Sequence, residues 1–253
     1  MQKGYTLEKR MRRYEAVSDI RLIRRIPLIL RLDGVHFKSF TRGLKKPFDE
    51  IFKAAMAKTM LELCKSIEGV VFGYVQSDEI TLVLVDYKEL DTDAWFDYRL
   101  QKLCSVSASM CSRFFNRIFR DEVEKSDLEN KNTYRKKYDL ADFDCRAFNI
   151  PKEDVCNCIL WRQRDAERNS IQSLAQSLYS HKEIIGLNTN ILQDKIFTEK
   201  GINWNDLCTY YKRGCACIKD TDTRKWRIDY NMPILSKDRN YIEKLINFDD
   251  VEV

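Results

Sequence analysis

The feature that most constrains this chain is a pair of β-branched runs, residues 70–75 and 80–85, on either side of Gln76-Ser77-Asp78-Glu79. Short apolar runs bounded by a few polar residues read as a hairpin, and each strand must be covered to be stable. The tip of this hairpin is acidic. A third apolar run, residues 28–32, stops at Asp33-Gly34, where a turn is expected. Between them Ile51, Phe52, Ala55, Met56, Met60, Leu63, Cys64 and Ile67 recur at helical spacing, so residues 49–67 predict a helix opened by an acidic cap and closed by Gly69. A second helix is expected over residues 95–119, with Leu100, Leu103, Cys104, Met110, Cys111, Phe114 and Ile118 as its inner face. After a charged stretch, residues 120–139, a fourth strand over 145–150 is halted by Pro151. The order strand, helix, strand, strand, helix, strand is ferredoxin-like, an α+β arrangement (βαββαβ). Beyond it, residues 159–178 and 189–197 look helical and 213–219 and 224–230 extended, a mixed helical and β C-terminal part. With no linker or repeat, the division expected is 1–138 and 139–253, the second part supplying the last strand of the first.

In this topology the first and third strands are antiparallel neighbours at the sheet centre. Asp33, expected just past the end of one, and Asp78, just before the other, therefore project at one edge although 45 positions apart in sequence. Carboxylates gathered at a point repel unless neutralised, and the hard cation that bridges carboxylates to phosphates is Mg²⁺. Two such ions about 3.5 to 4 Å apart clamp the attacking and leaving oxygens of a phosphoryl displacement. Glu79 is a third candidate carboxylate. Gly34 lets backbone approach a phosphate or metal, and its carbonyl is a candidate ligand. The competing reading is structural: Asp-Gly and Ser-Asp are ordinary turn pairs.

A chain of 253 residues, 44% hydrophobic, can bury a substantial core. Nine cysteines, an odd number, argue against a disulfide framework and for a reducing compartment, the cytoplasm. No run approaches the roughly 20 apolar residues of a membrane helix, and Glu8, Glu15 and Asp19 do not suit a targeting peptide. Net charge is +5, but residues 1–46 hold thirteen Lys and Arg against four Asp and Glu, a local +9 that leaves −4 for the remainder. The basic end is a candidate polyanion surface, or a solvated helix face.

With these motifs placed, the chain resembles the tRNA-histidine guanylyltransferases and their guanylyltransferase-like relatives. Arg31-Leu-Asp-Gly-Val-His-Phe-Lys-Ser-Phe40 is similar to the first metal motif of that family and Tyr74-Val-Gln-Ser-Asp-Glu-Ile80 to the second. Phe143-Asp-Cys-Arg146, Trp161-Arg-Gln-Arg-Asp165 and Tyr211-Lys-Arg-Gly214 follow in the expected order. The resemblance implies a polymerase-type palm in residues 1–138, a guanylyltransferase-family C-terminal domain, and 3′-to-5′ nucleotide addition to the 5′ end of tRNA. The 5′ end is activated by ATP, or already carries a triphosphate. The 3′-hydroxyl of an incoming GTP or other nucleoside triphosphate then attacks it. Carried over by position, Asp33, the Gly34 carbonyl and Asp78 hold two Mg²⁺ ions, with Glu79 in support. Arg31, Val35, His36, Phe37, Lys38 and Ser77 join them at the nucleotide, and Lys46, Arg146 and Lys212 bind phosphates. Where the histidine-specific enzymes carry His-Ile-Asn-Asn, this chain has Glu167-Arg168-Asn169-Ser170. That departure resembles the branch associated with templated repair of 5′-truncated tRNA rather than dedicated guanosine addition to histidine tRNA. The family implies a homotetramer, a dimer of dimers.

Other signals carry less. Cys156-x-Cys158 and Cys215-x-Cys217 have the wrong spacing for common zinc knuckles. His36 and His181, the only histidines, do not form a catalytic pair. Trp161, Phe114 and Phe115 are expected in the core. A non-catalytic RNA-recognition module shares the element order, but residues 80–85 offer no aromatic for stacking. A nucleotidyl cyclase uses a similar palm without RNA.

Overall fold

In the computed structural model, which describes residues 6–248, the apolar runs become strands of one six-stranded antiparallel sheet, in the order β4-β1-β3-β2-β5-β6. The strands are β1 (Leu28–Gly34), β2 (Val70–Gln76), β3 (Glu79–Leu84), β4 (Phe143–Asn149), β5 (Cys215–Lys219) and β6 (Trp226–Asp229). The first four make the ferredoxin-like unit. Residues after 138 supply β4, which pairs with β1, and β5 and β6, which extend the sheet beyond β2.

The helices are α1 (Leu7–Ala16), α2 (Phe37–Phe40), α3 (Glu50–Ser66), α4 (Leu100–Lys125), α5 (Asn132–Arg135), α6 (Lys152–Leu178), α7 (His181–Ile184), α8 (Thr189–Lys200), α9 (Thr209–Arg213) and α10 (Asn240–Ile246). Side chains alternate across a strand. Leu28, Leu30 and Leu32 of β1 and Ile80, Leu82 and Leu84 of β3 thus pack with α3 and α4, whereas Ile29 and Val83 pack with α6 and α10. Covered on both faces, the central strands read as continuous apolar runs, and β2 and β3 leave no open face for stacking RNA bases. A third cluster joins the second half of α6 to α8 and Trp204.

Asp49 starts α3 as expected, its carboxylate accepting from the Phe52 N–H at 2.8 Å. It also accepts from the Lys45 N–H and the Tyr134 hydroxyl, tying α5 to this turn. Elsewhere the boundaries move for identifiable reasons. The second helix begins at Leu100, not 95, because Phe96, Asp97 and Tyr98 have φ of 52°, 50° and 50°. That segment is captured by the N-terminal strap: the Leu22 N–H donates to the Tyr98 carbonyl and the Leu100 N–H to the Ile20 carbonyl, both at 2.9 Å. The helix also runs to Lys125, past the expected end at 119, since buried Val123 extends its inner face. The charged stretch is ordered by ion pairing, Arg135 gripping Glu124 with two bonds of 3.0 and 2.8 Å. α6 starts at Lys152 directly after Pro151, α8 ends at Lys200, and β5 starts only after Gly214, because residues 209–213 close as a helix.

Candidate active site

Asp33 lies inside β1 rather than beyond it, with Glu79 of β3 and Asp144 of β4 as its register partners. The Gly34 N–H donates to the Asp78 carbonyl at 3.1 Å, so Asp33 and Asp78 meet at one lip of the sheet. A Cβ on Gly34 would come within 2.3 Å of the Phe37 ring, so packing against Phe37 requires the glycine here. By strand alternation Arg31, Asp33, Glu79, Asp144 and Arg146 share the face that α6 covers.

Asp78 is half-buried, and its pKa is raised by burial and by the charge of Asp33, against the Ser77 hydroxyl and its own backbone N–H, which lower it. The repulsion between Asp33 and a half-buried Asp78 is what a divalent cation would relieve. Among the described residues no three His, Cys, Asp or Glu side chains gather as a metal-ligand group. Two carboxylates with main-chain oxygens nevertheless suit Mg²⁺, a hard ion that keeps several waters or phosphate oxygens of its own.

Glu79 belongs to a different arrangement from the one expected of it. Glu79 is 7% exposed and its carboxylate accepts from Arg162 Nε at 2.6 Å, while Arg162, 9% exposed, also holds Asp165 at 3.0 Å. Burial raises the pKa of Glu79 and the Arg162 guanidinium pulls it down. Its charge is thus already matched by a buried partner, so it braces β3 against α6.

Ser77, with φ of 49°, is exposed at the hairpin tip and lines a pocket with Phe48, Tyr211, Asn169 and Ser170. Phe48 and Tyr211 stack with ring centroids 4.3 Å apart. Lys46 is exposed at the mouth, adjacent to lining residue Pro47. On the other side of the lip the Val35 N–H donates to the Asp142 carbonyl at 2.9 Å, and exposed His36 has φ of 56°. Lys38 is exposed, whereas the Phe37 ring is buried against Phe143 at 4.9 Å, leaving only its backbone to face a nucleotide. Arg146 Nη2 stands 3.9 Å from the Asp33 carboxylate. The Lys212 ammonium donates to the Asn205 carbonyl.

Trp161, expected in the core, is 55% exposed, with the Arg31 and Arg162 guanidiniums 5.2 and 4.7 Å from its ring centroid. The helical pattern misplaced it because α6 covers only part of the sheet face near β1 and β4. Phe114 and Phe115 are buried. Sequence reasoning also missed Arg162 as the partner of Glu79, and Asp144 beside Asp33; counting residues along β4 from Phe143 would have found the latter. Within the tetrapeptide that departs from the histidine-specific pattern, Glu167 accepts from Arg213 at 3.2 Å and Arg168 pairs with Asp165. Asn169 donates to Asp165 at 3.3 Å, and the Ser170 hydroxyl accepts from the Trp204 indole at 3.0 Å. Cys156 and the Cys215–Cys217 pair belong to clusters on opposite faces of the sheet, so they cannot share a zinc ion, and all nine cysteines are free.

No described helix is long and apolar enough to cross a membrane. The family profile described as tRNAHis guanylyltransferase matches residues 8–151. Protein R259 of Acanthamoeba polyphaga mimivirus is 29% identical over 94% of this chain and 87% of its own length. A probable tRNA(His) guanylyltransferase of Dictyostelium discoideum is 24% identical over 78% of this chain and 77% of its own. Among solved structures, a bacterial tRNA(His) guanylyltransferase-like protein in complex with ATP superposes with a TM-score of 0.88 at 41% identity, covering 96% of this chain and 100% of that one. A bacterial like-protein in complex with GTP gives 0.81 at 38%, covering 96% and 99%. The acidic lip thus sits in a matched palm, and the chain belongs to the tRNAHis guanylyltransferase family of nucleotidyltransferases, which act on tRNA.

Proposed function

We propose that this protein adds nucleotides to the 5′ end of tRNA in the 3′-to-5′ direction, and that its reaction is template-directed repair of 5′-truncated tRNA. The observation that carries the reading is the convergence of Asp33 and Asp78 at a lip bordered by the Ser77 pocket. ATP-bound and GTP-bound relatives of the same fold support nucleoside triphosphates as substrates. Asp33, the Gly34 carbonyl and Asp78 would hold Mg²⁺, which would supply charge neutralisation for phosphates and a more acidic hydroxyl. The chain itself positions the reactants. Ser77 and the backbone of residues 33–38, which carries His36 and Lys38, face the triphosphate, Lys46 and Arg146 add positive charge, and Glu79 keeps β3 in place through Arg162. In the first step a 5′-monophosphate oxygen displaces pyrophosphate from ATP. In the second the 3′-hydroxyl of the incoming nucleotide displaces AMP from the activated 5′ phosphorus. Lys212 joins this set only by leaving the Asn205 carbonyl.

Templated repair is favoured over dedicated guanosine addition because Glu167, Arg168, Asn169 and Ser170 are tied to Arg213, Asp165 and Trp204 within the protein. The same proposal includes a dimer of dimers, supported by the apolar side chains Leu7, Met11 and Tyr14, which lie exposed along α1.

The test is incubation with Mg²⁺, ATP, labelled GTP and tRNAs lacking the 5′ nucleotide, the opposing base being either C or A. Wild type is expected to incorporate guanosine opposite C and not A. Asp33→Ala and Asp78→Ala should each lose at least about a thousandfold in rate, several kcal/mol of barrier. Incorporation confined to histidine tRNA, whatever the opposing base, would select guanosine addition, and no incorporation by wild type would reject the proposal.

A further inference from the structure

Two clefts flank the acidic lip. The first is the Ser77 pocket. The second, of about 490 Å³, opens from Val35 and His36 and is lined by Arg42, Lys136 and Lys137, with Asp142 the one carboxylate in its wall. Arg42 follows α2 and Lys136 follows α5, 94 positions later in the chain, so the fold gathers these cations from separate segments.

Their neighbours show that this is not simply a basic surface. On the same charged stretch Arg120 pairs with Asp139 and Arg135 with Glu124. In the N-terminal segment Arg12, Arg21 and Arg24 pair with Glu8, Asp97 and Asp86. Three arginines of the basic N-terminal segment are thus matched within the protein. By contrast Arg42, Lys136 and Lys137 have no carboxylate partner among the described residues. Burial, with the charge of Arg42, lowers the pKa of Lys137, so these cations repel one another. Three cations gathered around one carboxylate, none of them ion-paired, form a seat for a polyanion. Exposed Leu140 borders the same cleft and offers apolar contact to sugars or bases.

We infer that this cleft is the track for the phosphodiester backbone of the RNA 5′-terminal strand, bringing its end to Asp33 and Asp78 from the side opposite the nucleotide pocket. The inference rests on the RNA-extending reading above. It assigns Arg42, Lys136 and Lys137, which lie outside the metal motifs, to the RNA, and separates the two polyanions that a nucleotidyl transfer to RNA must bring together.

The test uses the full chain carrying Arg42→Gln with Lys136→Gln, and a charge-matched control, Lys182→Gln with Lys225→Gln, on exposed sites away from the cleft. Affinity for a 5′-truncated tRNA is measured across a salt series, and ATP affinity separately. Each lost phosphate contact lowers the slope of log affinity against log salt by about 0.7 to 0.9. The double variant is expected to bind RNA about tenfold more weakly with a slope shallower by about 1.5, its ATP affinity and melting temperature unchanged, while the control behaves as wild type. RNA affinity and slope equal to wild type would overturn the inference. A fall in ATP affinity as large as that for RNA would also overturn it, making the cleft a nucleotide site. If the variant loses salt-dependent RNA binding but wild type incorporates no nucleotide, the track stands and the nucleotidyl-transfer reading fails.

Discussion

Asp78 sits in a place that disfavours its charge, since burial and Asp33 both push its pKa up. Replacing it with Asn removes that conflict as well as the ligand. In metal-free buffer at neutral pH, Asp78→Asn is expected to melt higher than wild type by about 2 to 4 °C, the shift that about 1 kcal/mol produces in a chain of this size. Added Mg²⁺ should narrow the difference by stabilising wild type alone. A variant melting at or below wild type without metal would contradict this account of the lip. Arg162 presents the opposite case. Its removal leaves Glu79 buried and unpaired, and breaking such a pair costs about 3 to 5 kcal/mol. Arg162→Met should lose that much in denaturant unfolding, and Arg162→Met with Glu79→Met should recover most of it; equal losses in both would show that packing and not charge is responsible.

At the scale of elements, α3 depends on one side chain more than its periodicity suggests. Asp49 accepts from the Phe52 and Lys45 N–H groups, at 2.8 and 3.0 Å, and from the Tyr134 hydroxyl. A helix cap alone contributes about 1 kcal/mol. Asp49→Ala should therefore cost about 2 kcal/mol or more in equilibrium unfolding, and Tyr134→Phe about 1 kcal/mol; an Asp49→Ala loss no larger than that of Tyr134→Phe would mean the cap contributes nothing. The strands and α3 were legible because their signals are local: apolar period, an acidic cap, a glycine at φ of 78° after the helix. The start of α4 was not, since residues 96–98 are held in left-handed backbone beside hydrogen bonds with the distant residues 20–22. Trp161 was misplaced for a related reason. Helical spacing identifies a face but not how far the facing sheet extends.

At the scale of the molecule, helices cover both faces of the central strands, so chemistry is left to the lip and to the uncovered edge near β4. α1 stands apart, with no buried residue. Leu7, Met11 and Tyr14, spaced as i, i+4 and i+7, form an exposed apolar stripe suited to a helix partner. If that stripe joins protomers of the proposed dimer of dimers, wild type should sediment as a tetramer and Leu7→Glu with Met11→Glu as a smaller species. A monomeric wild type, or a variant that assembles unchanged, would remove this support. The sequence by itself determined the four-strand core and the meeting of Asp33 with Asp78, because strand alternation and antiparallel pairing leave few ways to bury three apolar runs. Only the tertiary structure decided that Glu79 is matched by Arg162, 83 positions away, and that Arg21 and Arg24 are matched by Asp97 and Asp86. Those outcomes depend on distances between distant segments, and electrostatic energy follows distance and burial rather than order along the chain.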